Sequence, residues 1–317
     1  MSDAHRTIVV ADPIDPGALD LLKDEECRVI DASSGASALK AALGDAWALV
    51  VRSRTKVTAE LIAHAPHLAL IARAGVGVDN IDLAAAAARK IRVVNAPVAA
   101  TTSVAELTVA LALMLVRELW PSVAGTKAGR WERGTRGGEL AGRTVGFVGY
   151  GRIAREVARR LAPFDVHALA YDPYVARTED GTAFVALDEL FGQSDLVSLH
   201  AAATPENRHL INAAALARMK RGSFLINVAR GPLVDEAALL AALRSGQLAG
   251  AALDVYEVEP PMNQELLGHP KVIATPHVGA STHEAQRRAG RQVMEEVRRA
   301  LRGEALTAQV PIPGGSA

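Results

Sequence analysis

Three polar side chains in the second half of the sequence have complementary chemistry. Arg230, Glu259 and His277 each follow a short apolar run that predicts a buried strand. The arginine can hold a carboxylate or a carbonyl group through charge-assisted hydrogen bonds. The imidazole can give or take a hydroxyl proton, because the ordinary pKa of histidine lies near neutral pH. A glutamate beside the imidazole favours the charged ring and fixes its orientation. Together they suit proton and hydride transfer at a 2-keto or 2-hydroxy acid.

A second set of residues predicts a dinucleotide site. The pattern G-x-G-x-x-A begins at Gly149, between a predicted strand, 144–148, and a predicted helix, 153–161. Gly149 permits a tight turn, Gly151 lets the backbone approach a pyrophosphate, and a small alanine follows where the helix packs on the strand. The first turn of that helix offers free N–H groups to the phosphates.

Two residues at the ends of the following predicted strands extend this site. Asp172 follows strand 167–171 and would accept hydrogen bonds from ribose hydroxyl groups while repelling a 2′-phosphate. NAD is therefore expected rather than NADP. His200 follows strand 196–199 and is expected to line the same cleft, with a purely structural role left open.

The sequence does not favour a metal site. Cys27 is the single cysteine, and His64 and His67 flank Pro66 without a neighbouring carboxylate or thiol. We therefore expect no metal.

Composition excludes several other functions. The 35 basic residues balance the 35 acidic ones, which argues against a nucleic-acid partner. One cysteine favours a reducing compartment. The apolar run 8–11 is too short for a signal peptide, and run 107–116 is too short to span a bilayer. We expect a cytoplasmic protein that binds a small molecule and has no membrane partner.

Predicted strands and helices, which must position these residues, alternate along nearly the whole chain. Strands are predicted at 8–11, 49–52, 70–73, 92–95, 144–148, 167–171, 196–199, 223–227, 249–253 and 272–274. Helices are predicted at 58–64, 82–88, 153–161, 235–244 and 283–301. This alternation predicts an α/β fold with parallel sheets covered on both faces. A helix over about 103–119, ending near Pro121, and a loop over 128–138 divide the strands between two sheets.

The motifs resemble those of a known family. The strings that carry the resemblance are residues 51–58, 73–82, 127–133, 146–153, 227–236, 251–260 and 275–282. Over about residues 5–308 the chain resembles the D-isomer-specific 2-hydroxyacid dehydrogenases, and most of all their phosphoglycerate-oxidising branch. The resemblance implies that Arg230, Glu259 and His277 are the catalytic residues.

The resemblance also implies an arrangement of domains. Residues 1–98 and 285–317 would form a smaller, flavodoxin-like substrate domain. Residues 99–284 would form a Rossmann NAD domain, with a dimerisation helix and loop near 103–142. The large apolar side chains of Leu119, Trp120 and Trp131 support a homodimer contact there.

Binding residues are carried over from the family in the same way. The backbone amides of Gly75, Val76 and Gly77 would cradle the substrate carboxylate. The residues expected to contact NAD are Val76, Gly149, Tyr150, Gly151, Arg152, Ile153, Asp172, His200, Ala201, Val228, Ala229, Asp254 and Gly279.

Substrate identity stays open between related acids. Arg52, Arg54 and Arg73 follow predicted strands of the small domain, and Arg133 lies in the loop that could reach a partner subunit. These arginines are phosphate candidates or solvated surface residues. The first hypothesis is NAD-dependent oxidation of 3-phosphoglycerate to 3-phosphohydroxypyruvate, as in serine biosynthesis.

The second hypothesis is a glyoxylate or hydroxypyruvate reductase, and the third is an NAD-sensing, corepressor-like binding protein. The apolar stretch 98–100, Val76, and the alanines at 201–202 depart from the family pattern around substrate and nicotinamide. The stretch 98–100 favours the reductase slightly, whereas the Arg-Ser-Arg string at 52–54 favours the phosphorylated substrate. Because the sequence stops near 317, we expect no C-terminal regulatory domain and no serine feedback.

Overall fold

A computed structural model describes residues 6–131, 133–134 and 136–311. The chain divides into two compact units. The first, called the small unit, comprises Met1–Ala100 and Ala280–Ala317, and the second, the large unit, comprises Thr101–Gly279. The expected domain ranges 1–98 and 285–317 include residues 1–5 and 312–317, which lie outside the described residues.

Twelve strands are present among the described residues. They are β1 Arg6–Val10, β2 Cys27–Asp31, β3 Ala46–Val51, β4 Leu70–Arg73, β5 Arg92–Asn95, β6 Thr144–Val148, β7 His167–Tyr171, β8 Ala183–Phe184, β9 Leu196–Leu199, β10 Ser223–Asn227, β11 Leu248–Leu253 and β12 Val272–Ala274.

The same described ranges contain twelve α-helices. They are α1 Pro16–Leu19, α2 Ala36–Ala42, α3 Ala59–Ala63, α4 Leu83–Ala88, α5 Thr101–Val116, α6 Leu119–Lys127, α7 Arg152–Leu161, α8 Leu187–Gln193, α9 Ala213–Arg218, α10 Glu236–Arg244, α11 Gln264–Leu267 and α12 His283–Leu301.

The small unit is built on a parallel sheet in the order β2-β1-β3-β4-β5. Alternate residues of its strands are buried on opposite faces, and Leu49 and Val50 of β3 belong to two different core clusters. Burial on both faces explains why these strands are continuous apolar runs rather than alternating ones. Val293 and Val297 of α12 pack in one of those clusters, so the last helix belongs to this unit.

The large unit contains a parallel sheet in the order β12-β11-β10-β9-β6-β7-β8. Its first strand, β6, lies between β7 and β9. The connections therefore reverse direction between β6 and β9, which is the position where doubly wound sheets bind ligands at their carboxyl ends. The two sheets confirm the predicted α/β class with two doubly wound parallel sheets.

Two strands were missed by the sequence prediction. All ten predicted strands are present, but β2 and β8 were not predicted. The residues of β2 are exposed or half-buried, because this strand lies at the edge of its sheet. Strand β8 has two residues, also at an edge. Neither carries the apolar run that marks a central strand.

The predicted end of the long helix at Pro121 is wrong. Helix α5 ends at Val116, and α6 begins at Leu119 after a bend of 75°. Pro121 lies in the first turn of α6, where a missing N–H group costs no hydrogen bond. The bend is made at Glu118, whose φ is 48°. In the described ranges no single helix has the length and apolar character of a membrane span, although α5 and α6 taken together do.

Candidate active site and cofactor site

The glycine-rich turn after β6 lies at the point where the large sheet reverses. Gly149 has φ +85°, and its N–H donates to the carbonyl oxygen of Tyr171 at 2.8 Å. A Cβ atom at this position would lie 2.7 Å from the backbone nitrogen of Ala201. Both the backbone conformation and the approach to the chain after β9 therefore require glycine.

The second glycine of the pattern has a different surrounding. Gly151 is the N-cap of α7, and a Cβ added to it would meet nothing within 4 Å. Without a side chain, it cannot cap the N–H groups of Ile153 and Ala154, and the N–H of Arg152 also has no partner within the helix. Ala154, one turn into the helix, is fully buried. The turn thus presents backbone N–H groups beside open space, which is the arrangement that binds a pyrophosphate.

Asp172, which is predicted to bind the ribose, accepts backbone hydrogen bonds from the glycine-rich turn and from the segment after β7. One carboxylate oxygen accepts the N–H of Tyr150 at 2.8 Å, and the other accepts the N–H groups of Tyr174 and Val175 at 2.8 and 3.2 Å. Asp172 as a residue is half-buried, so it is not closed off from solvent.

Tyr150 contributes to this region differently from what its inclusion among the cofactor contacts suggested. Its ring is fully buried, and its hydroxyl group is bonded to Asp180 and Thr182. Burial raises the pKa of Tyr150 to about 12. The side chain points into the core, so a ligand contact by Tyr150 has to use its backbone.

His200 follows β9 on the other side of the reversal. Its Nε2 atom lies 2.9 Å from the hydroxyl of Ser198, and its ring packs against Phe147. Burial lowers the pKa of His200 to about 3, which keeps the ring uncharged at neutral pH. This side of the reversal therefore carries no formal charge, and Ala201 contributes its backbone there.

Arg230 lies in a turn that buried polar groups fix. The side chain of Asn227, which is fully buried, accepts the N–H of Ala229 and donates to the carbonyl oxygen of Arg230 at 2.9 Å. The guanidinium of Arg230 donates to the carbonyl of Ala229 at 2.7 Å. At Gly231 a Cβ atom would lie 1.8 Å from the carbonyl oxygen of Tyr256, so the turn packs directly on the segment that leads to Glu259.

Glu259 and His277 are brought together. The Nδ1 atom of His277 lies 2.8 Å from a carboxylate oxygen of Glu259. The two side chains are 51% and 40% exposed, so a substrate can reach the ring. The backbone of His277 has φ 53°, a left-handed conformation that costs about 1–3 kcal/mol in a residue with a side chain.

Asp254 holds that strained turn in place. Its carboxylate is 1% exposed and accepts the hydroxyl of Thr275 at 2.6 Å and the N–H groups of Val278 and Gly279 at 2.8 Å each. These hydrogen bonds attach the carboxylate of Asp254 to the turn that carries His277, and its expected contact with NAD stays a prediction. Gly279 is buried and donates to it.

Tyr256 connects two of these segments. Its N–H donates to Glu259, and its hydroxyl donates to the carbonyl oxygen of Thr275 at 2.9 Å. The large unit therefore orients the acid–base pair through contacts that span about twenty residues of sequence.

In the small unit, Arg52 and Arg54 surround a buried carboxylate. Asp12 is 1% exposed and accepts the backbone N–H of Arg52 at 2.6 Å and the N–H and hydroxyl of Thr55. The Nε atom of Arg54 lies 3.7 Å from Asp12, and its side chain is 64% exposed. Asp12 thus shapes the loop after β3 and leaves the outer guanidinium groups of both arginines facing solvent.

The Gly75–Gly77 loop is also fixed by its neighbours. The side chain of Asn95 donates to the carbonyl oxygen of Val76 at 2.6 Å. The guanidinium of Arg73 lies over Gly75, where a Cβ atom would be 2.0 Å from its Nη1 atom. The positively charged side chain of Arg73 therefore lies beside the loop that contains Gly75 and Gly77.

Known proteins resemble this chain along most of its length. The family model described as D-isomer specific 2-hydroxyacid dehydrogenase, NAD binding domain, matches residues 109–279. A D-3-phosphoglycerate dehydrogenase from Mycobacterium leprae is 44% identical over 313 residues, or 97% of this chain and 59% of that one. A hydroxypyruvate reductase from Thermotoga maritima is 42% identical over 299 residues, or 93% of this chain and 98% of that one. The crystal structure of an NAD-dependent formate dehydrogenase from Staphylococcus aureus in complex with NAD has a TM-score of 0.85 and 32% identity, and it covers 98% of this chain and 100% of that one.

The chain belongs to the D-isomer-specific 2-hydroxyacid dehydrogenase family. Residues 109–279 match its NAD-binding domain, which confirms the prediction of NAD as cofactor. The turn described above fits this cofactor, since Gly151 leaves open space beside helix amides and Asp172 is not closed off from solvent. The chain spans 59% of the length of the phosphoglycerate dehydrogenases that it matches.

The remaining predicted binding residues differ in their burial. Val228 is buried and Ala229 is half-buried in the turn before Arg230. Val76 and Gly77 are half-buried after β4. Arg133 is exposed in the loop that follows α6 of the large unit, and its role in binding a substrate stays a prediction.

Sequence analysis missed the polar residues that support the dehydrogenase site. Asp12 and Asn95 make hydrogen bonds that fix the loops after β3 and β4. Asn227 and Tyr256 do the same for the segments after β10 and β11. Each follows or ends an apolar strand, as the predicted site residues do. That position is the signal that could have identified them.

Proposed function

We propose that this protein is an NAD-dependent D-2-hydroxyacid dehydrogenase that oxidises 3-phosphoglycerate to 3-phosphohydroxypyruvate. The observation that carries the proposal is the pair formed by His277 and Glu259, 2.8 Å apart, in the same unit as the glycine turn for NAD. A carboxylate-oriented imidazole is the usual group for moving a hydroxyl proton.

In the proposed reaction, Arg230 binds the substrate carbonyl or carboxylate group. Glu259 engages Nδ1 of His277, so Nε2 is the ring atom that takes the proton from the C2 hydroxyl. NAD, when bound, supplies the acceptor for the hydride that leaves C2. The imidazolium formed on His277 is stabilised by the adjacent carboxylate. In the reverse direction the same ring returns the proton to the carbonyl oxygen.

The small unit supports a phosphorylated substrate. Arg52 and Arg54 follow β3, and Arg73 lies over Gly75 after the adjacent strand β4. Arginine binds phosphate through paired, charge-assisted hydrogen bonds. Relatives 44% identical to this chain are D-3-phosphoglycerate dehydrogenases. These observations support 3-phosphoglycerate, and with it a role in serine biosynthesis in the cytoplasm.

A glyoxylate or hydroxypyruvate reductase is the second candidate. Val98 is 49% exposed, and Ala99 and Ala100 beside it are buried, so the segment after β5 offers no polar side chain to a substrate. A relative 42% identical to this chain is a hydroxypyruvate reductase. The catalytic residues would be the same.

A homodimer is part of the proposal. On α6 and the loop after it, Trp120 is 45% exposed, Val123 46% and Trp131 78%. Apolar side chains of this size are rarely left in water together on one segment, and a second copy of the chain would cover them.

The experiment compares one phosphorylated keto acid with two unphosphorylated ones. The value of kcat/KM is measured with NADH and 3-phosphohydroxypyruvate, hydroxypyruvate or glyoxylate. We expect 3-phosphohydroxypyruvate to be favoured about a hundredfold or more, since each charge-assisted hydrogen bond contributes about 1.5–3 kcal/mol. Equal values, or a preference for hydroxypyruvate, would establish the reductase instead. Absence of turnover with all three acids would remove the dehydrogenase proposal.

A further inference from the structure

The large unit contains a second histidine–glutamate pair besides His277 and Glu259. The Nε2 atom of His209 lies 2.9 Å from a carboxylate oxygen of Glu257, and the two side chains are 33% and 22% exposed. Glu257 precedes Glu259 by two residues, so a single segment after β11 supplies the carboxylate of both pairs. The reaction described above gives the second pair no role.

The backbone of His209 is strained in the same way as that of His277. Their φ angles are 52° and 53°, in the left-handed region that a residue with a side chain adopts only at a cost in free energy. Such a conformation persists where neighbouring contacts fix it, and these positions cluster at functional sites. The contacts of His209 therefore indicate what its conformation serves.

The backbone of His209 is attached to the turn that carries Arg230. Its N–H group donates to the carbonyl oxygen of Pro232, the second residue after Arg230, at 2.8 Å. Two residues further along the chain, the N–H of Ile211 donates to the carbonyl oxygen of Leu233 at 2.9 Å. The segment that contains His209 thus runs beside this turn and is joined to it at two points.

The side chain of Glu257 is held by three neighbours. Its carboxylate accepts the N–H of Glu236, the first residue of α10, at 3.2 Å, and the N–H of Glu257 donates to the carboxylate of Glu236 at 2.9 Å. The other oxygen of Glu257 accepts hydrogen bonds from His209 and, at 3.2 Å, from the guanidinium of Arg208. These donors offset the repulsion between two carboxylates that share one set of backbone bonds.

His209 therefore connects the two elements that carry Arg230 and Glu259. Its backbone binds the turn after Arg230, and its side chain binds the residue two positions before Glu259. The two elements are in direct contact, because a Cβ atom at Gly231 would lie 2.6 Å from the backbone nitrogen of Glu257. A shift of Glu257 would move Glu259 relative to the other reacting groups.

We propose that His209 is a positioning residue, which acts through Glu257 to keep Glu259 at the Nδ1 atom of His277. While Glu259 accepts the Nδ1 proton, the Nε2 atom of His277 is the one that can take a proton from the substrate. When Glu259 moves away, the ring is free to adopt the other tautomer. This role rests on the proposed function, but it applies to phosphorylated and unphosphorylated acids alike, because both require the same proton transfer.

The kinetic test uses NADH and whichever of the three keto acids gives the highest turnover. His209→Ala should lower kcat about tenfold or more, because a small displacement of an acid–base group is costly. The KM for NADH should stay nearly unchanged, since the glycine turn is untouched. His209→Gln keeps an N–H donor near the position of Nε2 and should recover most of the loss.

The matched control is His269→Ala. His269 is a half-buried histidine that precedes β12, and its Nδ1 atom accepts one backbone N–H at 3.3 Å. Its replacement removes an imidazole and a hydrogen bond from the same unit, and it should leave kcat within about twofold.

The tautomer of His277 gives a second readout that needs no turnover. It is measured by 15N NMR of protein labelled at histidine, at about pH 8, above the ordinary pKa of histidine. The signal of His277 is identified by its absence from His277→Ala. We expect the Nδ1–H form in the unaltered protein and a shift toward the Nε2–H form in His209→Ala.

An unchanged kcat in His209→Ala, or an unchanged tautomer of His277, would overturn the proposal. If His209→Ala does not fold, Glu257→Gln replaces it. This variant places an amide donor opposite Arg208 and should lower kcat and shift the tautomer in the same direction. Absence of turnover with all three acids would remove the proposed function, whereas the tautomer of His277 would still decide the role of His209.

Discussion

The two sheets of this protein reverse at equivalent positions, but the reversals are lined by different chemistry. Between β6 and β9 of the large unit the chain presents Gly149, Gly151 and an uncharged His200. Between β1 and β3 of the small unit it presents Asp12 and Arg52. Under the proposed function, the first reversal would bind its ligand with backbone amides and the second with charged side chains.

This difference decides how each site tolerates change. A backbone site depends on where chain segments approach each other, so a single added carbon atom can close it. A side-chain site depends on charge and reach, so its loop keeps its shape when a guanidinium is replaced. Substitutions at the two reversals and at the turn that carries His277 should therefore have separable effects on folding, on ligand binding and on turnover.

The largest effect is expected at the turn of the large unit that carries His277. His277→Ala should lower kcat by about 10²–10⁴, the usual contribution of a positioned acid or base. NAD affinity should stay nearly unchanged, because the glycine turn is untouched. Turnover is measured by NADH absorbance and NAD binding by fluorescence. The control Glu259→Gln keeps the imidazole ring and should lower kcat less. If His277→Ala keeps a kcat near that of the unaltered protein, another group transfers the proton.

The second largest effect is expected for the arginines that follow β3 in the small unit. Because Nε of Arg54 lies 3.7 Å from the buried carboxylate of Asp12, glutamine is a better replacement than glutamate. In steady-state kinetics, the double variant Arg52→Gln, Arg54→Gln should show a KM raised about a hundredfold when the substrate is 3-phosphoglycerate. With glyoxylate as the substrate, KM should rise less than about twofold, because this acid has no phosphate for the arginines to bind.

Its control removes the same charge from the same unit. Arg28→Gln with Lys40→Gln changes exposed residues of β2 and α2 and should leave both KM values unchanged. If the first double variant changes the KM of phosphorylated and unphosphorylated acids equally, Arg52 and Arg54 are solvated surface residues and do not bind the phosphate.

The contrast also explains what the sequence could predict. Backbone recognition requires glycines at fixed spacing, so the turn at Gly149 was visible before the fold was known. Central strands such as β10 carry apolar runs because both faces are buried. Edge strand β2 lacks such a run, and α6 continues through Pro121 because proline is tolerated in a first turn.

Long-range polar contacts were beyond sequence reasoning. Asp254 was assigned to NAD from the family resemblance, and that assignment stays a prediction. Its buried hydrogen bonds to the His277 turn join residues more than twenty positions apart, so the sequence did not indicate them. Asp12 orders the loop after β3 from forty residues away. Only the fold shows which of several strand-end polar residues meet each other.

A third, smaller effect separates the two glycines of the backbone site. Gly149→Ala should destabilise the large unit by about 1–3 kcal/mol, since it adds a Cβ at φ +85° and 2.7 Å from Ala201. Gly151→Ala has open space around it and should keep its stability while losing NAD affinity. Urea unfolding and NAD titration measure the two properties. Equal stability of the two variants would contradict the close approach at Gly149.

The smallest effect concerns the protonation of His200, which follows β9 in the large unit. The folded-state pKa of His200, about 3, lies below its ordinary value of 6.5, so between these values the unfolded chain binds a proton that the folded chain does not. Stability conferred by the neutral ring is therefore present above pH 6.5 and is lost as the pH falls. In urea unfolding, the unaltered protein should lose about 1–2 kcal/mol more than His200→Asn between pH 7 and pH 5, because one proton contributes about 1.4 kcal/mol per pH unit. Carboxylates shared by both proteins cancel in this difference. A difference that does not change with pH would mean that His200 accepts a proton in the folded state, and the large reversal would then carry charge as the small one does.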